Sequence, residues 1–565
     1  MNWVLKNQPD QNIVKHLQEV LGINKSLAIL LAQRDITNFQ EAKCFFRPSL
    51  DELHDPFLLK DMSIATKRIM QAIDQKEKIM VYGDYDVDGT TSVALVFDYL
   101  RHFTEHLLPY IPDRYKEGYG LSYQGIDYAA KQDVSLIISL DCGIKAVEKV
   151  DYANEKGIDM IIGDHHLPGE KVPDALAVID PKQKDCAYPF KELCGCGIGF
   201  KLISALNILK NQPIKTEDYL DLVAIAIGAD IVPINGENRI LAFHGLEKIN
   251  NKPRPGIQAM IDQSKKKHLS ITDVVFILGP RINAAGRMEH GSHAVELLLE
   301  KKINKATEFS KKLEVYNTER RETDKKITAE AKLQIEENQE HNAATTVVYS
   351  ESWHKGVIGI VASRLIESYY RPTLVFTKSG DHLAASARSV KGFDVYNAIE
   401  ACADHLVQFG GHKYAAGLTL KQEQYSDFKS AFEHQVAQTI PASCKKPQLL
   451  FDIDINFEDI TPKFIKILKQ FAPFGPANQK PLFRFNNVKD TGFAKKVGKD
   501  GDHLKCHLYQ DKNGNRFDAI GFGLGDKLDD LKKNPVDIVA GVEENEWNGV
   551  VKPQLNLKGI KNSHR

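Results

Sequence analysis

Lys78-Ile79-Met80-Val81-Tyr82-Gly83-Asp84-Tyr85-Asp86-Val87-Asp88-Gly89 decides the reading of this chain. An apolar run of strand length ends in three carboxylates at alternate positions, and a glycine closes the group. Like charges a few ångströms apart repel, so such a cluster calls for hard divalent cations between its members. The pattern recurs. Ser135-Leu136-Ile137-Ile138-Ser139-Leu140 runs into Asp141-Cys142-Gly143, and Met160-Ile161-Ile162-Gly163 runs into Asp164-His165-His166. Each run places acid or imidazole at the carboxyl end of a parallel strand, where open α/β sheets keep their active sites. A single Asp there is an ordinary helix N-cap, but three such endings in one domain are improbable as independent caps. A fourth acidic site, Gly228-Ala229-Asp230-Ile231-Val232-Pro233, ends the apolar run from Leu220 to Ile227.

A chain of 565 residues is too long for one core and implies three or four domains. Hydrophobic content of 42% and charged content of 26% are those of soluble globular protein. No apolar run reaches the roughly 18 residues that span a bilayer. The start, Met1-Asn2-Trp3-Val4-Leu5-Lys6-Asn7-Gln8, lacks an apolar signal core, and a cytoplasmic, membrane-free protein is expected. Of eight scattered cysteines only Cys194 and Cys196 lie close together, so neither a disulfide framework nor a zinc site is indicated. They belong to a glycine-rich helix start, Gly195-Cys196-Gly197-Ile198-Gly199. A net charge of -1 gives no global attraction for nucleic acid, so a polyanionic substrate would need local patches and bound metal.

Residues 1–55 read as a helical segment with a turn at Arg47-Pro48-Ser49. Strand-like and helical runs alternate from 56 to 300, the signature of an α/β doubly wound parallel sheet. Residues 301–340 contain neither Gly nor Pro and carry sparse apolar positions, Phe309, Leu313, Tyr316, Ile327 and Ala331, as one long connecting helix would. A smaller α/β segment occupies 341–440. Past the linker Pro441-Ala442-Ser443-Cys444-Lys445-Lys446-Pro447, residues to 565 alternate in short runs separated by turns such as Lys512-Asn513-Gly514-Asn515, as in a small β-barrel.

The chain resembles the DHH phosphoesterase superfamily, in the branch of single-stranded-DNA exonucleases. The likeness rests on Asp164-His165-His166, on Ile111-Pro112-Asp113-Arg114-Tyr115-Lys116-Glu117-Gly118-Tyr119-Gly120 and on Gly279-Pro280-Arg281-Ile282-Asn283-Ala284-Ala285-Gly286-Arg287-Met288. It continues through Trp353-His354-Lys355-Gly356-Val357-Ile358-Gly359, Ser386-Ala387-Arg388-Ser389 and Gly410-Gly411-His412-Lys413-Tyr414, segments associated with the DHHA1 domain. Pro473-Phe474-Gly475 and Asn545-Glu546-Trp547 are similar to an OB-fold domain of that branch. The likeness covers roughly residues 50 to 565 and is most specific between 79 and 420.

The resemblance implies metal ligands at Asp86, Asp88, Asp141, His165 and Asp230, with Asp141 bridging two cations. A mixed oxygen and imidazole set suits Mn²⁺ and tolerates Mg²⁺. His166 would face the scissile phosphate. Asp84 and Asp164 would orient the site from behind the ligands or as weaker ligands, or only cap backbone in tight loops. Ser386 and Arg388, two apart in an extended segment, point to one side and can grip a phosphate together. By resemblance they form a pocket for a 5′-terminal phosphate, with Arg281 and His412 contributing. Tyr119 can stack on a base and Arg114 can contact phosphate. In the barrel, Phe474, Phe483, Phe493 and Trp547 are interleaved with Lys495, Lys496, Lys499 and Lys505, as strand contacts or as core.

The expected activity is metal-dependent 5′→3′ exonuclease digestion of single-stranded DNA to 5′-mononucleotides, in DNA repair and recombination. The protein would act as a monomer, alongside a single-strand-binding protein and a helicase. A phosphodiesterase for short oligoribonucleotides is the enzymatic alternative, and a non-catalytic DNA-binding scaffold is the alternative of another class. The scaffold should have lost ligands, whereas every ligand position here holds a competent residue.

Overall fold

The computed structural model describes residues 1–210, 214–512, 514–547 and 549–563, with Trp547 described by its backbone. Asn513 and the Trp547 side chain, named above, lie outside the described residues.

The first large unit is a five-stranded, wholly parallel sheet. Its order is Leu107–Tyr110, Lys78–Gly83, Val134–Leu140, Asp159–Gly163 and Ala177–Ile179. Alternate residues serve opposite faces, as strand geometry requires. Ile79, Val81, Leu136 and Ile138 join a core with the helices Met62–Asp74, Val87–Leu100 and Gly195–Lys210. Met80, Tyr82, Ile137 and Met160 join another with Tyr123–Lys131 and Val147–Glu155. Both faces are covered, so the strands read as unbroken apolar runs. In chain order the strands lie second, first, third, fourth, fifth. The order reverses between Lys78–Gly83 and Val134–Leu140, and such a reversal leaves a crevice at the strands' carboxyl ends.

The run before Asp230 is the helix Leu220–Ala229, apolar on every side because other helices enclose it. The helix Ile303–Glu337 has 35 residues, which makes it about 50 Å long. Its first half buries Ala306 and Leu313 in the core of the parallel-sheet unit, and its second half buries Ile327, Ala331 and Ile335 against the next domain. Asp324, fully buried on this helix, takes hydrogen bonds from Arg364 of the helix Ile358–Tyr369. A strut anchored at both ends fixes the distance between two domains.

Beyond the strut lies a mixed sheet in the order Gln408–His412, Ala415–Lys421, His382–Arg388, Thr373–Ser379, Thr346–Tyr349. The last unit runs Phe483–Asp490, Val536–Trp547, Val550–Asn562, Arg516–Gly521, His503–Tyr509 through neighbouring pairings. Lys489 and Asp490 pair back to Tyr509 and Leu508, so this five-strand circuit returns on itself as in an OB-fold.

One expectation fails at the N-terminus. Residues 1–55 are not wholly helical: Asn2–Leu5 is a strand pairing in parallel with Gln448–Phe451. Its partner lies more than four hundred residues away, beyond any local signal. Leu17, Leu27 and Leu30 from the following helices share the barrel's core with Phe464, Phe483 and Val536. Phe483 is therefore core and touches no solvent.

Arg239 joins these units. From the helix Gly236–Asn251 its guanidinium donates to the carbonyls of Phe45, Gln470, Phe471 and Ala472 and lies 3.7 Å from the Phe45 ring. Arg239→Ala leaves those buried carbonyls short of donors, which should cost about 2–4 kcal/mol. Urea denaturation measures this, and a change below about 0.5 kcal/mol would mean the clamp contributes nothing.

Candidate metal centre and strand-end pocket

The parallel strands deliver their acids to one place. Lys78–Gly83 ends at Asp84, and Asp86 caps the next helix by accepting from the Gly89 N–H. Asp88, in that helix's first turn, accepts from the N–H groups of Gly195 (2.7 Å) and Cys196 (2.7 Å), at the positive end of the helix Gly195–Lys210. Gly195 is required there, since a Cβ would come within 2.5 Å of the Asp141 Cβ. Asp141 ends Val134–Leu140, and Asp164 with His165 and His166 ends Asp159–Gly163.

His165 sits at the centre. Its Nε2 lies 3.1 Å from Asp141 Oδ1, 3.6 Å from Asp230 Oδ2 and 3.7 Å from Asp88 Oδ2. Burial and the neighbouring His166 charge push this imidazole down to about 3, so it stays neutral and offsets none of the surrounding charge. Burial and mutual repulsion hold the carboxyls of Asp84, Asp88, Asp141 and Asp230 above the usual carboxylate range. Among the described residues no Lys or Arg lies within 4.0 Å of these four or of Asp86. Asp84 Oδ1 accepts from the Gly120 N–H, while its Oδ2 is buried with no partner. Hard oxygen donors, one neutral imidazole, a buried orphan oxygen and no balancing cation fit divalent metal.

Asp164 acts differently. Its Oδ1 accepts from the N–H groups of His165 and His166 and pairs with His166 Nδ1 at 2.7 Å, and its Oδ2 accepts from Ile144. Burial opposes its charge, but these bonds and the His166 charge bring it down to about 2. Both carboxylate oxygens thus accept from the loop, and Asp164 holds the turn and the His166 ring in place. Burial also opposes charge on His166, yet the Asp164 bond prevails and raises its pKa. The Tyr119 hydroxyl lies 3.4 Å from His166 Nε2 at the open side.

A second cluster, wholly cationic, adjoins the first. Arg114 covers the ring of Tyr85, the residue between Asp84 and Asp86 in the chain, at 4.7 Å. Burial and the charges of Arg114, Arg388 and Arg320 push Arg287 down to about 10. Arg388 holds Ser386 Oγ at 3.1 Å, and a Cβ on Gly359 would meet that Oγ at 2.8 Å, so a side chain there would push this pair aside. Among the described residues Arg114, Arg287 and Arg388 have no carboxylate within 4.0 Å. Their charge awaits an anion.

Arg281 is a correction. It ion-pairs with Glu314 at 2.6 Å and donates to the Ile277 carbonyl, and Arg287 stands in the cluster instead. Six residues along a helix turn a side chain to another face. The sequence held a clue in Gly286, whose absent side chain lets it press on the Tyr85 backbone beside the acidic loop. His412 lies across the opening, where burial and the charges of Lys145, His166 and Lys182 lower its pKa. In the barrel, Phe493 is exposed with Lys495 5.0 Å from its ring, and Phe474 is half-buried.

Buried repelling carboxylates should weaken the metal-free protein. A carboxyl raised in the folded state binds more protons there than when unfolded, so its contribution to stability falls as pH rises from about 4. Asp141→Asn should therefore raise the melting temperature of metal-free protein at pH 8 more than at pH 5, and abolish the stabilisation by Mn²⁺. Thermal scans read both. Equal Mn²⁺ stabilisation of variant and parent would remove Asp141 from the site.

Family models match three regions: the DHH family N-terminal domain at residues 78–227, the DHHA1 domain at 342–438 and the RecJ OB domain at 451–559. The single-stranded-DNA-specific exonuclease RecJ of Bacillus subtilis (strain 168) is 38% identical over 99% of this chain and 70% of its own length. The protein of the same name from Dickeya dadantii (strain 3937) is 34% identical over 94% of this chain and 95% of its own. The crystal structure of RecJ in complex with Mn²⁺ from Thermus thermophilus superposes with a TM-score of 0.85 at 25% identity, covering 100% of this chain and 80% of that one. With its fold, carboxylate cluster and three matched domains in agreement, the chain belongs to the RecJ family of DHH phosphoesterases.

Proposed function

We propose that the protein is a 5′→3′ exonuclease that removes 5′-mononucleotides from single-stranded DNA, with Mn²⁺ or Mg²⁺ as cofactor. One observation carries this reading. An uncompensated carboxylate cluster and an uncompensated guanidinium cluster share one cleft, joined through Tyr85, whose ring supports Arg114 and meets Tyr119 edge-on at 6.2 Å. One end suits a terminal phosphate and the other suits hydrolysis of a nearby phosphodiester.

Asp86, Asp88, Asp141, His165 and Asp230 would hold two divalent cations, which supply a low-pKa water and charge stabilisation at phosphorus. The helix N-terminus at Gly195 fixes the Asp88 carboxylate before any substrate arrives. Asp164 clamps His166 Nδ1, leaving Nε2 toward the opening to donate to a phosphoryl or departing oxygen. Asp84 holds the loop bearing Tyr119 through the Gly120 N–H. Arg114, Arg287, Arg388 and Ser386 would grip the 5′-phosphate, and His412 would close the cleft over the metal end. The strut-fixed gap between the domains favours one strand over two. Exposed Phe493 and Lys495, with Lys496 and Lys499, suit a strand running on over the barrel.

The same reading places the protein in DNA repair and recombination as a cytoplasmic monomer working with a single-strand-binding protein and a helicase. No described helix is long and apolar enough to cross a membrane.

Oligonucleotides labelled at either end, single-stranded and duplex, with and without Mn²⁺, test polarity, strand preference and metal need together. Label release from the 5′ end of single strands alone is expected, and release first from the 3′ end would reverse the assignment. Arg388→Ala should lower kcat/KM on 5′-phosphorylated strands about 10- to 100-fold, the worth of a charge-assisted hydrogen bond. Its effect on 5′-hydroxyl strands should be several-fold smaller, and equal loss on both would move the phosphate pocket elsewhere.

A further inference from the structure

Ile231 occupies the left-handed backbone region, at φ 60°. It follows Asp230, the C-cap of the helix Leu220–Ala229. Helix ends favour glycine at that position because a Cβ is strained there. A β-branched side chain makes the strain worse, and Ile231 is the one β-branched residue among the described non-glycine residues of positive φ. Packing does not compensate, because its side chain is 65% exposed.

Leu167, without that strain, is likewise an exposed aliphatic residue, 62% exposed directly after His166. His166 and Asp230 reach solvent with side chains 30% and 29% exposed, whereas Asp88, Asp141 and His165 are buried. Each of these two residues at the open side of the cluster therefore has a bare aliphatic neighbour directly after it. Single exposed aliphatic residues are ordinary on protein surfaces. Strain retained at one of them, next to a reacting centre, marks a side chain kept for contact with something outside the chain.

We infer that Ile231 and Leu167 form apolar walls against which the nucleobases flanking the scissile bond pack. This rests on the nuclease reading above and adds how that site recognises its strand. The occupant follows from position. The carboxylates and guanidinium groups take the phosphates, and the apolar part of a nucleotide within reach of that phosphate is its base. An aliphatic wall offers no hydrogen-bond code, so it accepts all four bases and registers only whether a base is there.

Full-length Ile231→Gly and Leu167→Ser are compared with the parent on 5′-phosphorylated single strands under Mn²⁺, either ordinary or with two abasic units at the 5′ end. Ile231→Gly should lower kcat/KM about tenfold on the ordinary strand, chiefly through KM, while its melting temperature stays at or above the parent's because glycine relieves the strain. The loss should shrink to less than about twofold on the abasic strand, and Leu167→Ser should show the same dependence on substrate. An undiminished rate of both variants on ordinary strands, or equal loss on both substrates, overturns the inference. A parent inert on both strands would instead overturn the nuclease reading itself.

Discussion

Repulsion among buried carboxylates governs this protein. Asp88 and Asp141 are almost fully buried within reach of His165, and Asp230 is only partly open. Neutral His165 joins them without charge. Folding alone gives no reason to gather such groups, because burying unpaired carboxylates costs free energy that the apolar core must offset. The core is equal to this. Unbroken apolar strands, covered by helices on both faces, make the crevice rigid enough to hold the donors together before metal arrives. Backbone donors add to that rigidity: two N–H groups at a helix start hold Asp88, and the 163–166 turn is wound around Asp164.

The same logic runs in the opposite sign a short distance away. Arg114, Arg287 and Arg388 come from separate parts of the chain and crowd together without a carboxylate among them. Arg287 donates to the Gly356 carbonyl, and the Tyr115 ring meets His354 edge-on at 5.9 Å, so the second domain is stitched to the first at this pocket. The helix Ile303–Glu337 sets the gap, and its buried Asp324 ties it to Arg364 of the second domain. One cleft therefore carries negative donors for cations at one end and positive donors for an anion at the other.

Much of this was legible in sequence because strand chemistry and metal chemistry coincide locally. The runs before Asp84, Asp141 and Asp164 are strands whose last residues turn straight into the site. Such signals need no distant partner. Where the partner is distant, the sequence is silent. Nothing near Asp88 announces that Gly195 and Cys196 will bind it, and nothing near Trp3 announces Gln448–Phe451 as a strand neighbour. Helix rotation misled at Arg281, which turns to Glu314 while Arg287 turns to the cleft. Barrel aromatics were ambiguous for a related reason: alternation tells that Phe483 and Phe493 lie on faces, not which face is covered.

The account stands on a pair of divalent ions gathered by Asp86, Asp88, Asp141, His165 and Asp230. Manganese paramagnetic resonance on the intact protein tests this most directly, by counting bound ions during titration and reading whether their spins couple. Two tight sites per chain with a spin-coupled spectrum are expected. Weak, uncoupled binding spread over many sites would contradict the account.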